Sequence, residues 1–234
     1  MSPCAAGRWV IYRSGNFLQK GRFDMKWIRS TQKKLLPVLF LALCVAALAH
    51  PVHAAYTFSI DQEKSRVTYR VEETFFGGAI RRGTAVGVTQ AVDGTIHFDP
   101  ANPSAIQVSS VEVDISQFTT DSPRRDERIR REWLESAKYP IARYTVTAIE
   151  PLAEVTLGQE IPVRVHGQLT VREVTRPTTF EGVLVLTEET IQGRFNTQLL
   201  MTDFGFDPPS IAGFLQAENE VNVEFEFVAV RQPA

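Results

Sequence analysis

Apolar and polar residues alternate along two stretches of this 234-residue chain, 65–74 and 221–230. Successive side chains of a β-strand point to opposite faces of the sheet, so an alternation of period two places the apolar residues on one face. The apolar positions that fall in phase are Val67, Tyr69, Val71, Val221, Val223, Phe225 and Phe227. Both stretches are therefore predicted to be strands with one buried face and one solvated face.

The segment 106–115 also alternates, but its apolar residues change phase at Ser109–Ser110. A β-bulge there would account for the change, because a bulge inserts one extra residue into a strand. The apolar residues that share a face after the change are Val111, Val113 and Ile115. We predict that this second half of the segment turns the same face to the core.

Further strand patterns follow along the chain, separated by turn residues. They are 56–60, 84–90, 94–98, 141–150, 163–171, 178–187 and 190–200. Strands without long helices between them predict an all-β fold, either a sandwich or a barrel. We favour an antiparallel barrel of about eight strands, because a closed barrel leaves no exposed strand edge.

One helical segment is predicted, near 122–136. Thr120, Asp121 or Ser122 can cap its N terminus, and Pro123 suits its first turn. Its apolar residues, spaced by about one helical turn, form a single stripe. They are Ile129, Trp133 and Leu134. The arginines of the segment are nearly balanced by carboxylates, which favours a salt-bridged, solvent-facing helix over a phosphate-binding arm.

The N-terminal part of the chain has the pattern of a secretory signal peptide. Two lysines precede an apolar run at 35–49, and the sequence Val52-His53-Ala54 follows, with a small residue at its last position. This run is shorter than the roughly 20 residues of a transmembrane helix, so we expect cleavage near Ala54 and no membrane span afterwards. Residues 1–54 are assigned to the leader, with Met25 as an alternative start, and 55–234 to a single barrel domain.

The charge of the chain changes when this leader is removed. Loss of residues 1–54 takes away eight of the 25 basic residues and one of the 27 acidic residues, which leaves 17 and 26 and a net charge of −9. Such an acidic domain is a poor candidate for binding nucleic acid. Both cysteines, Cys4 and Cys44, also lie in the leader. The secreted domain therefore depends on its core, without disulfides, for stability.

No catalytic or metal-binding pattern is found in the predicted domain. A G-x-S-x-G motif is absent, and no H-x-x-x-H pattern links the histidines. His97 and His166 both lie in strand patterns, which favours ordinary strand histidines over a triad. Glu72 and Glu73 are adjacent, so a strand would turn them to opposite faces, which is poor geometry for a paired acid and base. We predict that the protein is not an enzyme, with a hydrolase using His97 or His166 as a remaining alternative.

Five segments, taken in order, resemble the YceI-like family of periplasmic polyisoprenoid-binding proteins. They are "YTFSIDQEKSRVTYRV", "GTIHFDPANP", "VEVDISQFTTDSPRRDERIRREWLESAKYPIARYTVT", "VHGQLTVREVTRPTTF" and "TDFGF". The resemblance covers nearly all of 56–230. It implies a lipocalin-like barrel that holds an isoprenoid lipid or a quinone-like amphiphile in the periplasm, without catalysis and without another cofactor. It also implies a homodimer, and Arg125 and Asp126 match the family's Arg–Asp pair, which we expect to pin the helix in place.

The predicted ligand contacts follow from the parity of the strands and from the position of the helix. The residues expected to face the barrel interior are Val67, Tyr69, Val71, Val111, Val113, Ile115, Val223, Phe225 and Phe227. Those expected at the mouth of the barrel are Ile129, Trp133, Leu134, Phe204 and Phe206. An alternative is an interaction module, structural or stress-related, whose barrel is filled by its own phenylalanines. The two hypotheses differ in whether the interior contains a cavity.

Overall fold

The structure is a computed structural model, and it describes residues 56–78, 80–99, 102 and 106–233. The predicted signal peptide, its cleavage near Ala54 and the alternative start at Met25 lie outside the described residues. Among the residues described, no helix has the length and apolar character needed to cross a membrane.

Antiparallel strands make up most of the described chain. In chain order they are β1 (Tyr56–Ile60), β2 (Arg66–Phe75), β3 (Arg81–Thr89), β4 (Val92–Asp93), β5 (Thr95–Phe98), β6 (Gln107–Val108), β7 (Val111–Asp114), β8 (Ile141–Pro151), β9 (Glu160–Val171), β10 (Val174–Leu186), β11 (Thr190–Leu200), β12 (Ser210–Ile211), β13 (Leu215–Ala217) and β14 (Glu220–Arg231). Three short 3₁₀ turns lie between strands, at Gln62–Lys64, Ile115–Gln117 and Met201–Phe204. One α-helix, α1 (Pro123–Arg128), continues directly into a π-helical turn, Ile129–Trp133.

The strands curl into a barrel because β1 joins two parts of the sheet. Pairing runs in the order β3, β2, β14, β11, β10, β9, β8, β7 and β4. The strand β1 pairs with β14 on one side and with β5 on the other, and β5 pairs with β6, which leads into β7. These pairings return to β7 and so close a circuit of strands around the interior. The predicted antiparallel barrel fold is confirmed, although several of its strands are shorter and more numerous than expected.

The segment 106–115 contains the predicted irregularity at Ser109–Ser110. Asp93 lies opposite Glu112, and Ile96 lies opposite Val108, so three steps on one side face four steps on the other. One residue is therefore extra on the 108–112 side, which is the definition of a bulge. The register shift explains why the apolar residues change phase there.

Ile115 differs from its prediction as a strand residue. The strand β7 ends at Asp114, whose side chain accepts a hydrogen bond from the backbone N–H of Ser116 at 2.9 Å. This cap starts the 3₁₀ turn Ile115–Gln117. A short polar side chain that bonds to the backbone two residues later competes with continued strand pairing. Ile115 is nevertheless buried and 4% exposed.

The helical segment is shorter than the predicted 122–136. Ser122 caps it, because its hydroxyl accepts a hydrogen bond from the backbone N–H of Arg125, and Pro123 is its first residue. The last turn is wider, with the N–H of Leu134 bonded to the carbonyl of Ile129. Glu135 then has a φ of 47°, a left-handed conformation that ends the helix.

Tightly packed side chains fill one end of the barrel, at the turn between β10 and β11. Leu186 and Ile191 lie opposite each other at this turn, and each is 1% exposed. Phe58 on β1 and Phe98 on β5 are fully buried within the same cluster. We call this the closed end of the barrel.

Truncation of Phe58 is expected to destabilise the whole barrel. The Phe58→Ala variant should lose about 3–5 kcal/mol of unfolding free energy, as other core phenylalanines do. Leu152→Ala is the matched control, since Leu152 is 47% exposed in the turn between β8 and β9. It should change the unfolding free energy by less than about 0.5 kcal/mol. Urea denaturation measures both values, and a loss below about 1 kcal/mol for Phe58→Ala would contradict this account of barrel closure.

Candidate functional site: an apolar cavity in the barrel

The interior of the barrel beyond the closed end is hollow. It contains a cavity of about 710 Å³, within the roughly 300–1,000 Å³ that small-molecule sites usually span. Inward-facing side chains of the long strands and the helical segment line it, and most of them are apolar. The filled barrel of the alternative hypothesis therefore does not describe this structure.

All the residues predicted for the site lie in the wall of this cavity. They are Val67, Tyr69, Val71, Val111, Val113, Ile115, Ile129, Trp133, Leu134, Phe204, Phe206, Val223, Phe225 and Phe227. Their contact with a ligand stays a prediction. Phe75, Phe118 and Phe214 also line the cavity, so these phenylalanines lie beside the hollow and do not fill it.

The cavity opens at the end of the barrel opposite the closed end. Phe75, Val171 and Leu200 are the last residues of β2, β9 and β11, and all three line the cavity. The turn between β12 and β13 borders the same opening through Phe214, which is 51% exposed. The mouth therefore lies where these strands end and where the helical segment follows β7.

The helical segment lies at this mouth, with its apolar stripe turned inward. Ile129, Trp133 and Leu134 line the cavity, and the guanidinium of Arg128 lies 5.3 Å from the ring centroid of Trp133. Such a cation over an aromatic face is attracted by the ring quadrupole. The stripe predicted from the sequence is thus the inner surface of the mouth.

Polar contacts hold both ends of the helical segment in place. At its start, Oδ1 of buried Asp126 accepts hydrogen bonds from the backbone N–H and the hydroxyl of Thr120, at 2.9 and 2.6 Å. At its end, Nη1 of Arg172 donates to the carbonyl oxygen of Trp133 at 3.3 Å, and the same guanidinium pairs with Glu135. The expected role of Asp126 in pinning the segment agrees with these contacts.

Sequence reasoning missed a polar group in the wall of the cavity, Glu73. This residue is 7% exposed and faces inward, while its neighbour Glu72 faces solvent. The Glu73 carboxylate lies 3.5 Å from Nη2 of Arg125, which also pairs with Asp121. Glu73 has the parity of Val67, so the strand pattern already placed it inside. Burial raises its pKa above the ordinary value, and the nearby Arg125 guanidinium only partly offsets this effect.

Tyr69 is a second polar group beside the cavity. Its ring packs against Phe118, with the ring centroids 5.0 Å apart. Its hydroxyl is buried and, within the described part of the chain, has no hydrogen-bond partner. Burial raises the pKa of this phenol, so the hydroxyl stays protonated.

The two histidines considered for hydrolysis lie away from this cavity. His97 is exposed on β5 and its Nδ1 lies 3.2 Å from the hydroxyl of Thr57. His166 is on the outer face of β9, with its Nδ1 3.0 Å from the hydroxyl of Thr179. Neither residue lines the hollow. In the described residues, no group of three or more His, Cys, Asp or Glu side chains could hold a metal ion.

Comparison with known proteins identifies the family of this chain. The family model of the YceI-like domain matches residues 58–229. The chain belongs to the YceI-like family. A curated relative, protein YceI of Escherichia coli O157:H7, is 29% identical over 155 residues, which cover 66% of this chain and 73% of the relative.

Two solved structures share the fold of this chain. The crystal structure of Burkholderia cenocepacia BcnA matches with a TM-score of 0.57 at 18% identity, over 73% of this chain and 99% of that one. A polyisoprenoid binding domain from Saccharophagus degradans, implicated in plant cell wall breakdown, matches with a TM-score of 0.56 at 16% identity, over 76% and 99% of the two chains. At these identities the likeness concerns the fold alone.

The raised pKa of Glu73 predicts a pH-dependent difference between the wild type and a Glu73→Gln variant. Because the native state holds the Glu73 proton more tightly than the unfolded chain does, ionisation costs stability as the pH rises above the ordinary pKa of 4.5. The glutamine variant avoids this cost. Its unfolding free energy, relative to that of the wild type, should therefore increase between about pH 4 and pH 7.

Urea denaturation across this pH range measures the difference. Glu72→Gln on the outer face of β2 is the matched control for removing one carboxylate from the same strand. A relative loss of stability in Glu73→Gln with rising pH would show that the Arg125 ion pair outweighs the burial of the carboxylate.

Proposed function

We propose that this protein binds an isoprenoid-tailed lipid, such as a polyisoprenoid or a quinone-like amphiphile, inside the barrel and carries or stores it without catalysis. The observation that supports this proposal is the apolar cavity of about 710 Å³, whose mouth lies at the end of the barrel opposite the closed end. A tail would lie along the hollow, and a polar head group would remain near the mouth. The description of the Saccharophagus degradans domain as polyisoprenoid-binding supports the same class of ligand.

The size of the cavity sets the length of tail that fits. If each carbon-sized group takes roughly the 30 Å³ that a water molecule occupies in the liquid, the cavity holds about twenty such groups. That number corresponds to about four isoprene units. At about 0.8 kcal/mol per buried methylene-sized group, each five-carbon unit contributes roughly 4 kcal/mol. Four units give about 16 kcal/mol before the cost of association, enough for micromolar affinity or better.

The polar groups at the mouth can orient such a ligand. Arg124 and Arg125 line the cavity from the first turn of α1, and Glu73 lines it from β2. Arginine donors suit a carbonyl, hydroxyl or phosphate head group. The wall deeper in the barrel is apolar and suits the tail.

The cellular location of this binding is part of the proposal. The leader predicted at 1–54 would export the domain, and we infer that it acts in the periplasm after cleavage near Ala54. An isoprenoid lipid in an aqueous compartment needs a protein that shields its tail from water. The homodimer implied by the family resemblance remains a prediction.

Filling the cavity tests the proposed binding directly. Ala142 on β8 is 8% exposed and lines the cavity, so Ala142→Phe would occupy space needed by part of one isoprene unit. We expect binding of a four-unit isoprenoid alcohol to become about tenfold to hundredfold weaker, as the loss of roughly 1.4–3 kcal/mol implies. Isothermal titration calorimetry on lipid-depleted protein measures the change.

Ala148→Phe is the matched control for this experiment. Ala148 lies on the same strand but is exposed, so its phenyl ring would point to solvent. The thermal midpoint of each variant shows whether the barrel has stayed folded. Equal affinity of the wild type and a folded Ala142→Phe variant would contradict binding in this cavity.

A further inference from the structure

The mouth of the cavity is bordered by apolar side chains that face solvent. Phe76 and Ile80, in the connection between β2 and β3, are 45% and 72% exposed, and Ile211 at the end of β12 and Phe214 in the turn to β13 are also exposed. The N–H of Phe76 donates to the carbonyl oxygen of Phe214 at 2.8 Å, which holds the two connections together. Phe214 and Ile211 also line the cavity. We call these four residues the rim, and it is continuous with the cavity wall.

Three arginines beside the rim have no partner. Arg81 and Arg82 begin β3, opposite Phe75 and Thr74 of β2, and Arg124 is in the first turn of α1. Among the arginine and lysine side chains of the described part of the chain, these three alone make no hydrogen bond, ion pair or ring contact. Within the residues that the structure describes, the unpaired positive charge is therefore concentrated at the mouth.

The ion pair between Arg125 and Glu73 places the start of α1, which carries Arg124, on the same side of the molecule as the start of β3, which carries Arg81 and Arg82. Glu73 lies opposite Gly83 on β3, and its 3.5 Å contact with Arg125 brings the start of α1 against β2 at this level. Arg81 is two residues further towards the mouth than Gly83. Arg124 and the start of β3 thus both flank the rim.

We propose that the rim docks on the surface of a bilayer that contains anionic phospholipid. The aromatic and aliphatic rim residues would enter the boundary between head groups and acyl chains, while Arg81, Arg82 and Arg124 face the phosphates. This inference rests on the proposed lipid binding, because docking at the mouth lets a lipid pass between bilayer and cavity without crossing water. Residues 55–234 carry a net charge of −9, so an anionic bilayer repels the rest of the domain and disfavours approach by any face other than the rim.

A second copy of the chain fits the rim less well. A symmetric contact places the same patch on both partners, so Arg81, Arg82 and Arg124 of one copy would face the same arginines of the other. Like charges brought together across an interface oppose binding. An anionic bilayer matches both the apolar and the charged parts of the rim.

Vesicle sedimentation tests this docking. The protein is recovered from the periplasm of an expressing bacterium, its N terminus is verified by mass, and it is mixed with vesicles of phosphatidylcholine with or without phosphatidylglycerol. We expect stronger binding to the vesicles with phosphatidylglycerol, and release when the salt concentration is raised.

Two sets of rim variants separate the apolar and charged contributions. The double variant Phe76→Ser, Ile80→Ser removes exposed apolar area, and Arg81→Gln, Arg82→Gln removes two charges. Each should lower the vesicle partition coefficient by about tenfold. None of these four side chains lines the cavity, so uptake of an isoprenoid alcohol added without vesicles should be unchanged. Leu152→Ser, Leu157→Ser is the matched control, since both leucines are exposed in the turn between β8 and β9, away from the mouth.

The outcomes separate the docking from the proposed function. Unchanged vesicle binding in both sets of rim variants would overturn the docking, even with isoprenoid uptake intact. An equal loss of vesicle binding in the Leu152→Ser, Leu157→Ser control would also overturn the docking. A wild type that forms dimers and does not bind vesicles, with the dimers lost in the rim variants, would overturn it as well. Wild-type binding to vesicles without any isoprenoid uptake would instead overturn the proposed function. The Ala142→Phe variant should still bind vesicles, because its substitution lies inside the barrel.

Discussion

Closure of the sheet by the five-residue strand β1 is the constraint on which the rest of the structure depends. By pairing with both β14 and β5, β1 joins the last long strand to the short strands that lead into β7. It also brings Phe58 into the packed end of the barrel, opposite the mouth. Without this junction the strands from β7 through β11 and β14 to β3 would form one open sheet, whose two edges would not be joined around the hollow. The cavity is therefore a property of the closed circuit of strands.

A hollow of this size is costly when it is empty. At the roughly 24 cal/mol per Å³ measured for small cavities left by core truncations, a cavity of about 710 Å³ corresponds to an upper bound of about 17 kcal/mol. That bound exceeds the 5–15 kcal/mol of net stability typical of a domain. Water entering through the mouth lowers the cost, and an apolar ligand lowers it further. A barrel that keeps such a space open is thus energetically suited to hold a ligand.

The inward face of the long strands could be predicted from the sequence because side-chain parity is a local property. Val67, Val71, Val223 and Phe227 follow it, and Glu73 follows it too, although a carboxylate inside an apolar wall was not expected. Ile115 lies outside the strand because the Asp114 side chain caps a turn there. This hydrogen bond to the backbone competes with strand pairing, and the alternation of apolar and polar residues does not reveal it. The size of the cavity was beyond sequence reasoning, since it depends on strand tilt and on how the two ends are filled. The helical stripe of Ile129, Trp133 and Leu134 was predictable, but the contact of Arg125 with Glu73 joins residues 52 positions apart and requires the fold.

Native mass spectrometry of the protein, purified without detergent from a host that makes isoprenoids, tests the central claim most directly. The account predicts a second species heavier than the protein by the mass of one isoprenoid-tailed lipid, which dissociates as a single molecule on collisional activation. That species should be depleted in Ala142→Phe and retained in Ala148→Phe. A spectrum of lipid-free protein alone, obtained from a folded barrel, would contradict the account.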